Sequence, residues 1–367
     1  MKILLLTTHL NMGGIGIYTV NLARYLAKAG ASVTVASSGG DLEGRLREEG
    51  VEHFHLDIKT KTELGPAVWK ALPRLNRLVR DGGYDILHAQ TRVAQVLACV
   101  SGKITGRPYI STCHGFFRYK RLGRKLFPCW GDRVIAISES VRRHLVDDFG
   151  FPAERVKLVF NGIELENYPS GGPEKDTDLL DSIGLARDAT VIGSVGRLSS
   201  VKGYKYLVAA FGDLTSGPGR LQLLIVGDGP EKDILREQVS RLGLDENVFM
   251  VPGGASLGKY LGLMDVFCLP SVHEGLGLAL MEAMASGRAC VASDVGGLSE
   301  LITHEKDGLL VPPEDPRALS ESIARLTNDV SLRESFGKKA REKAARNFSI
   351  EESVTKTMEV YREVIAG

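Results

Sequence analysis

Short apolar runs rich in β-branched residues alternate with longer amphipathic stretches along almost the whole chain. KILLLTT, SVTVASS, DILHAQ, PYISTCH, RVIAIS and RVKLVF read as strands, each bounded by polar or turn residues. Between the first two, IYTVNLARYLAKAG carries apolar positions at helical spacing and closes on Gly30. Strand and helix in alternation predict a parallel, doubly wound sheet. Residues 166–182, ENYPSGGPEKDTDLLDS, break the pattern, because Pro, Gly, Ser and acids concentrate there. The alternation restarts with VIGSVGRL, LQLLIVGDG, NVFMVPG, VFCLPS and ACVASD. The pattern therefore predicts an α/β protein of two Rossmann-like domains. The first covers 1–165, a linker 166–185, the second 186–349, and a last helix runs from about 350.

Composition narrows the class. With 367 residues, 43% hydrophobic and 25% charged, the chain reads as an ordinary soluble globular protein. No apolar run approaches the roughly 20 residues that span a bilayer. MKILLLTTHL lacks a small-residue cleavage site and reads as a buried first strand rather than a signal peptide. Cys99, Cys113, Cys129, Cys268 and Cys290 are scattered, without Cys-x-x-Cys, and read as reduced thiols. A cytoplasmic protein is expected. The net charge of +1 hides a split. Residues 1–165 hold 24 Lys and Arg against 15 Asp and Glu, and residues 166–367 hold 22 against 30. Two domains with different partners would produce that asymmetry.

The candidate chemistry concentrates in PSVHEGLGLALMEAMASG, residues 270–287. Glu274 precedes a glycine-rich entry, Gly275-Leu276-Gly277, and Glu282 lies in a run of strong helix formers beginning near Leu278. Eight residues of helix would separate the acids by about 12 Å, roughly the length of a sugar, a diphosphate and a ribose. A helix N-terminus between them would attract the phosphates. Glu282 in so apolar a segment needs a partner. Other candidates fall where open α/β sheets bind ligands, beyond the C-terminal strand ends. Gly13 and Gly14 follow the first strand, His114 ends PYISTC, Asn161 follows RVKLVF, Arg197 follows VIGSVG, and Gly229 follows LQLLIV. Asp176-Thr177-Asp178 is the one Asp-x-Asp, and it sits in the linker, so no metal site is expected. Arg197, a bidentate clamp, and Lys202, a compact charge beside Gly203, are then the cations for a leaving diphosphate. Gly13-Gly14 lacks the full dinucleotide fingerprint, which argues against NAD. No other cofactor is expected.

These pieces, in order, resemble the retaining glycosyltransferases of the family-four type, or glycosyl transferases group 1. The likeness rests on Glu274-x7-Glu282, Gly13-Gly14, His114-Gly115-Phe116, Asn161-Gly162-Ile163-Glu164, Val195-Gly196-Arg197-Leu198 with Lys202-Gly203, and Gly227-Asp228-Gly229-Pro230. It covers nearly the whole chain. It implies the GT-B fold, two Rossmann-like domains facing a central cleft, with the last helix crossing back onto the first. It also implies transfer of a hexosyl group, with retention of configuration, from a UDP- or GDP-sugar to an acceptor hydroxyl. Under that reading His114, Arg197, Lys202 and Glu274 are catalytic, with His114 against the transferred sugar. Gly14, Arg197, Lys202, Gly229, Glu274, Gly275, Leu276, Gly277, Leu278 and Glu282 bind the donor. Gly13, Gly14, His114 and Asn161 face the acceptor. Glu274 would hold the sugar's 3- and 4-hydroxyls and Glu282 the ribose. No glutamate is clearly placed as a covalent nucleophile, so front-face transfer is expected.

The acceptor leaves a weaker mark. In residues 116–130, Arg118, Lys120, Arg121, Arg124 and Lys125 alternate with Phe116, Phe117, Tyr119, Phe127 and Trp130. That mixture suits an anionic inner-leaflet surface. A lipid-linked glycan acceptor, such as one in lipopolysaccharide synthesis, would follow, while a charged helix face over core aromatics is the competing reading. Nothing else resembles a nucleic-acid module. Two rivals remain: a transferase of the same fold with a small acceptor, and a nucleotide-sugar epimerase.

Overall fold

A computed structural model describes all residues except 61, 118–126, 169–174, 215–219 and 254–256. The chain forms two compact domains. The first holds Met1–Gly162 and Ile350–Gly367, and the second holds Ile163–Ser349. The second domain thus begins before the stretch that reads as linker, and part of that stretch, Thr177–Ile183, is helical. Asp176 caps this helix by accepting the Leu179 N–H at 3.0 Å. Ile163 and Ser349, where the chain enters and leaves the second domain, pair in a parallel bridge.

The first domain is a seven-stranded parallel sheet in the order β3-β2-β1-β4-β5-β6-β7. Its strands are β1 (Lys2–Leu6), β2 (Ser32–Ser37), β3 (Glu52–His55), β4 (Ile86–Ala89), β5 (Tyr109–Cys113), β6 (Arg133–Ala136) and β7 (Val156–Leu158). The inner strands are near-continuous apolar runs because helices cover both faces. One face packs Ile3 and Leu5 against Tyr18, Leu22 and Leu26 of helix Gly14–Lys28. Ile350, Val354, Val360 and Tyr361 of helix Ile350–Ala366 join the same cluster. That burial ties the chain's last helix to its first strand.

The second domain repeats the architecture with six parallel strands in the order β10-β9-β8-β11-β12-β13. They are β8 (Thr190–Val195), β9 (Leu221–Val226), β10 (Val248–Val251), β11 (Val266–Leu269), β12 (Ala289–Ser293) and β13 (Leu309–Val311). Strand order reverses between β1 and β4 in one sheet and between β8 and β11 in the other. At each switch point neighbouring crossovers diverge to opposite faces and leave a crevice beyond the strand ends. The five cysteines are free and buried. No helix among the described residues is long and apolar enough to cross a membrane.

Candidate active site

The second domain gathers its candidates at the β8/β11 switch point. Residue 203 adopts φ +68°, and an added Cβ would lie 1.9 Å from the Pro270 carbonyl oxygen, so only glycine fits. That approach presses the loop after β8 onto the loop after β11, and Val272 N–H donates to Val201 carbonyl at 2.8 Å. It sets the Lys202 ammonium on the Glu274 carboxylate, with both side chains largely buried, 23% and 15% exposed. Ser271 Oγ donates to the same carboxylate oxygen at 3.3 Å. Lys202 is therefore an ion-paired lysine, a pairing that its sequence position did not announce. Arg197, earlier on the same loop, is exposed and carries no ion pair among the described residues. The loop after β9 closes against this one, with Leu198 N–H donating to Asp228 carbonyl at 3.0 Å. Gly229 lies so near Leu198 that a Cβ there would meet its carbonyl oxygen at 2.2 Å.

The helix between the two acids begins only at Leu278 and ends at Ala285, so the stretch from Glu274 to Gly277 is loop and the 12 Å helical span does not apply. Gly277 supplies its N-cap at φ +99° with no side-chain cap. The first N–H groups, those before any intrahelical bond, are thus left for a ligand. Leu276 is buried. Glu282, partly buried one turn further on, finds the partner that its apolar surroundings require in Tyr168, whose hydroxyl hydrogen-bonds its carboxyl. Burial pushes the Glu282 pKa up to about 7, against a smaller lowering by that hydrogen bond. Burial, and next the Glu282 charge, push the Tyr168 phenol well above its ordinary value. Tyr168 was invisible to sequence reasoning because it stands in the stretch read as linker.

The first domain positions its candidates separately. Gly13 caps helix Gly14–Lys28 without a side chain, and both glycines are exposed after β1. Asn161 is 3% exposed, and its Oδ1 has no hydrogen-bond partner among the described residues. His114, at the end of β5, has its Nε2 2.9 Å from Gln90 Oε1 and its ring edge-on to Tyr18 at 5.2 Å. Burial holds its pKa down near 3, so the ring is neutral. Arg118, Tyr119, Lys120, Arg121, Arg124 and Lys125 lie outside the described residues. Of their neighbours, Phe116 and Phe127 are exposed and Trp130 is buried. Among the described residues no three His, Cys, Asp or Glu side chains cluster as metal ligands.

The model of the family "Glycosyl transferases group 1" matches residues 176–343, and that of "Glycosyltransferase Family 4" matches 12–167. The chain is a group 1 glycosyltransferase with the GT-B fold. Among its relatives is an uncharacterized glycosyltransferase of Methanocaldococcus jannaschii, 28% identical over 96% of this chain and 94% of that one. The UDP-Gal:α-D-GlcNAc-diphosphoundecaprenol α-1,3-galactosyltransferase of Escherichia coli is 27% identical over 81% of this chain and 80% of its own. The crystal structure of Anabaena HepE in complex with UDP and glucose superposes with a TM-score of 0.85 at 25% identity, covering 99% of this glycosyltransferase and all of HepE.

Proposed function

We propose that this glycosyltransferase moves a hexosyl group from a UDP-sugar to a hydroxyl of a lipid-linked glycan, with retention and without a metal ion. The observation that carries the reading is the group at the β8/β11 switch point: an Arg197 with no ion pair among the described residues, the Lys202–Glu274 pair and an uncapped helix tip backed by Glu282. A nucleoside diphosphate presents the complementary chemistry. Its phosphates meet the guanidinium, the ammonium and the amides at Gly277 and Leu278, and its ribose hydroxyls donate to Glu282. Glu274 then accepts the sugar's 3- and 4-hydroxyls. We assign His114 to a hydroxyl of the transferred sugar, and Gly13, Gly14 and Asn161 to the acceptor. The orphaned Asn161 Oδ1 is a buried oxygen awaiting a donor. UDP is chosen by likeness to HepE, and the lipid-linked acceptor by likeness to the E. coli enzyme.

Retention by front-face transfer fits the absence, among the described residues, of a free carboxylate in this group. Glu274 is held by Lys202 and Glu282 by Tyr168. The leaving phosphate takes the acceptor proton while Arg197 and Lys202 stabilise its charge. A thermal-shift screen of UDP-, GDP- and ADP-sugars, with and without EDTA, tests the donor site. UDP compounds are expected to raise Tm equally in both buffers. Stabilisation that EDTA abolishes, or none from any of the three, rejects the reading.

We extend the proposal to a peripheral position on the inner face of the inner membrane, through residues 116–130. The exposed rings of Phe116 and Phe127 flank the basic segment. Flotation with vesicles containing phosphatidylglycerol should carry the protein, and with phosphatidylcholine alone should not. Equal flotation, or none, removes the membrane contact from the proposal.

A further inference from the structure

A chain of buried polar groups runs through the first domain from its last helix to His114. Tyr361 Oη lies 2.6 Å from His88 Nδ1. His88 Nε2 lies 2.7 Å from Thr112 Oγ1 and 3.1 Å from Gln90 Nε2. Gln90 Oε1 lies 2.9 Å from His114 Nε2. His88, Tyr361, Thr112 and Gln90 are each at most 1% exposed. Polar groups this deep are held by their partners, and each bond restricts the next.

The donors and acceptors can be assigned. Burial holds both histidines neutral, with pKa values near 3, so each ring carries one proton. The Gln90 amide nitrogen only donates, which leaves His88 Nε2 as a bare acceptor shared with the Thr112 hydroxyl. The His88 proton then sits on Nδ1 and goes to Tyr361 Oη. The Gln90 carbonyl only accepts, so His114 must be protonated on Nε2. His114 Nδ1 is left as a lone pair with no hydrogen bond among the described residues.

We propose that Gln90, held by His88 and through it by Tyr361, is a positioning residue that fixes His114 in the Nε2–H form and presents its Nδ1 to accept a hydrogen bond from a substrate hydroxyl. This rests on the assignment of His114 to the transferred sugar. A free imidazole exchanges its two tautomers readily, and only one of them can accept through Nδ1. The relay therefore couples the hydrogen-bonding polarity of the site to Tyr361 of helix Ile350–Ala366, 273 positions from His88 in sequence.

The test combines imidazole ¹⁵N spectroscopy with hydrolysis of UDP-glucose as the probe donor. In the wild type the His114 ring should give the signature of a protonated Nε2 and a bare Nδ1. Gln90→Leu should lose that signature and lower kcat about ten- to a hundredfold with little change in KM. Gln90→Glu keeps an acceptor for His114 Nε2 but has no donor for His88 Nε2, and its charge should draw a second proton onto His114 Nδ1, so it should restore neither the signature nor the rate. A folded spectrum of each variant excludes collapse of the sheet as the cause. A wild-type His114 protonated on Nδ1, or a Gln90→Leu variant with an unchanged tautomer and rate, overturns the relay. His114→Ala separates the two ideas. Should it keep the wild-type rate, the assignment of His114 to the sugar fails, and the tautomer measurement alone then judges the relay.

Discussion

Replacing Arg197 with alanine should lower kcat/KM for the sugar nucleotide on the order of a thousandfold, which corresponds to about 4 kcal/mol of transition-state stabilisation. Two cations stand near the proposed diphosphate, and the structure makes them unequal. The Lys202 ammonium is already neutralised by Glu274 in a largely buried pair, so much of its field is cancelled before any ligand arrives. Arg197 is exposed and unpaired among the described residues, so its guanidinium can meet the charge that grows on the departing phosphate. Because that charge is greatest in the transition state, the loss should fall on kcat more than on KM. Arg197→Lys keeps the charge but not the planar fork, and should recover only part of the rate. Steady-state kinetics with UDP-glucose at saturating and limiting concentrations resolves the two terms. A loss of less than tenfold from Arg197→Ala would remove this residue from the mechanism.

The strand pattern was legible wherever a strand is buried on both faces. All eleven apolar runs read as strands are strands in the molecule, and the two that went unread are both sheet edges. β3, Glu52-His53-Phe54-His55, is polar and half exposed because helices cover it incompletely, so it has no continuous apolar run. β13, Leu309–Val311, is too short to stand out between Gly308 and Pro312. Sites follow the same logic. Arg197, Glu274 and the glycines could be placed because their chemistry depends on local position after a strand. The pairing of Lys202 with Glu274 spans 72 positions, and His88 meets Tyr361 across 273. Such contacts are set by the three-dimensional packing of loops in the first case and of a strand on a helix in the second, and leave no periodic trace. Tyr168 is the sharpest case. Its sequence context is that of a linker, and its partnership with Glu282 of helix Leu278–Ala285 emerges only in the folded chain.

Glu282 should then exhibit a trade between stability and binding. An unfolded glutamate ionises near 4.5, whereas burial raises this one to about 7 in the folded protein. The fold therefore favours the neutral acid. Its contribution to stability is complete below about pH 4.5, declines as pH rises, and is lost above about pH 7. The size is about 3 kcal/mol. Glu282→Gln keeps the shape and the Tyr168 contact but removes the titration. At pH 8 it should melt about 5–10 °C above the wild type, with the gap closing toward pH 5. The same variant should bind UDP about ten- to a hundredfold more weakly, since two ribose hydroxyls lose a charged acceptor. In the wild type the carboxylate must shed its proton to accept those hydroxyls. UDP affinity should therefore fall as pH drops below about 7, approaching tenfold per unit. Calorimetric titration across pH 5.5–8.5, paired with melting curves of both proteins, reads the stability and binding arms independently. If Glu282→Gln binds UDP as tightly as the wild type, the carboxylate does not hold the ribose. If it also melts with the wild type at every pH, then Glu282 is ionised in the apo fold and Tyr168 serves it as a donor to a standing charge.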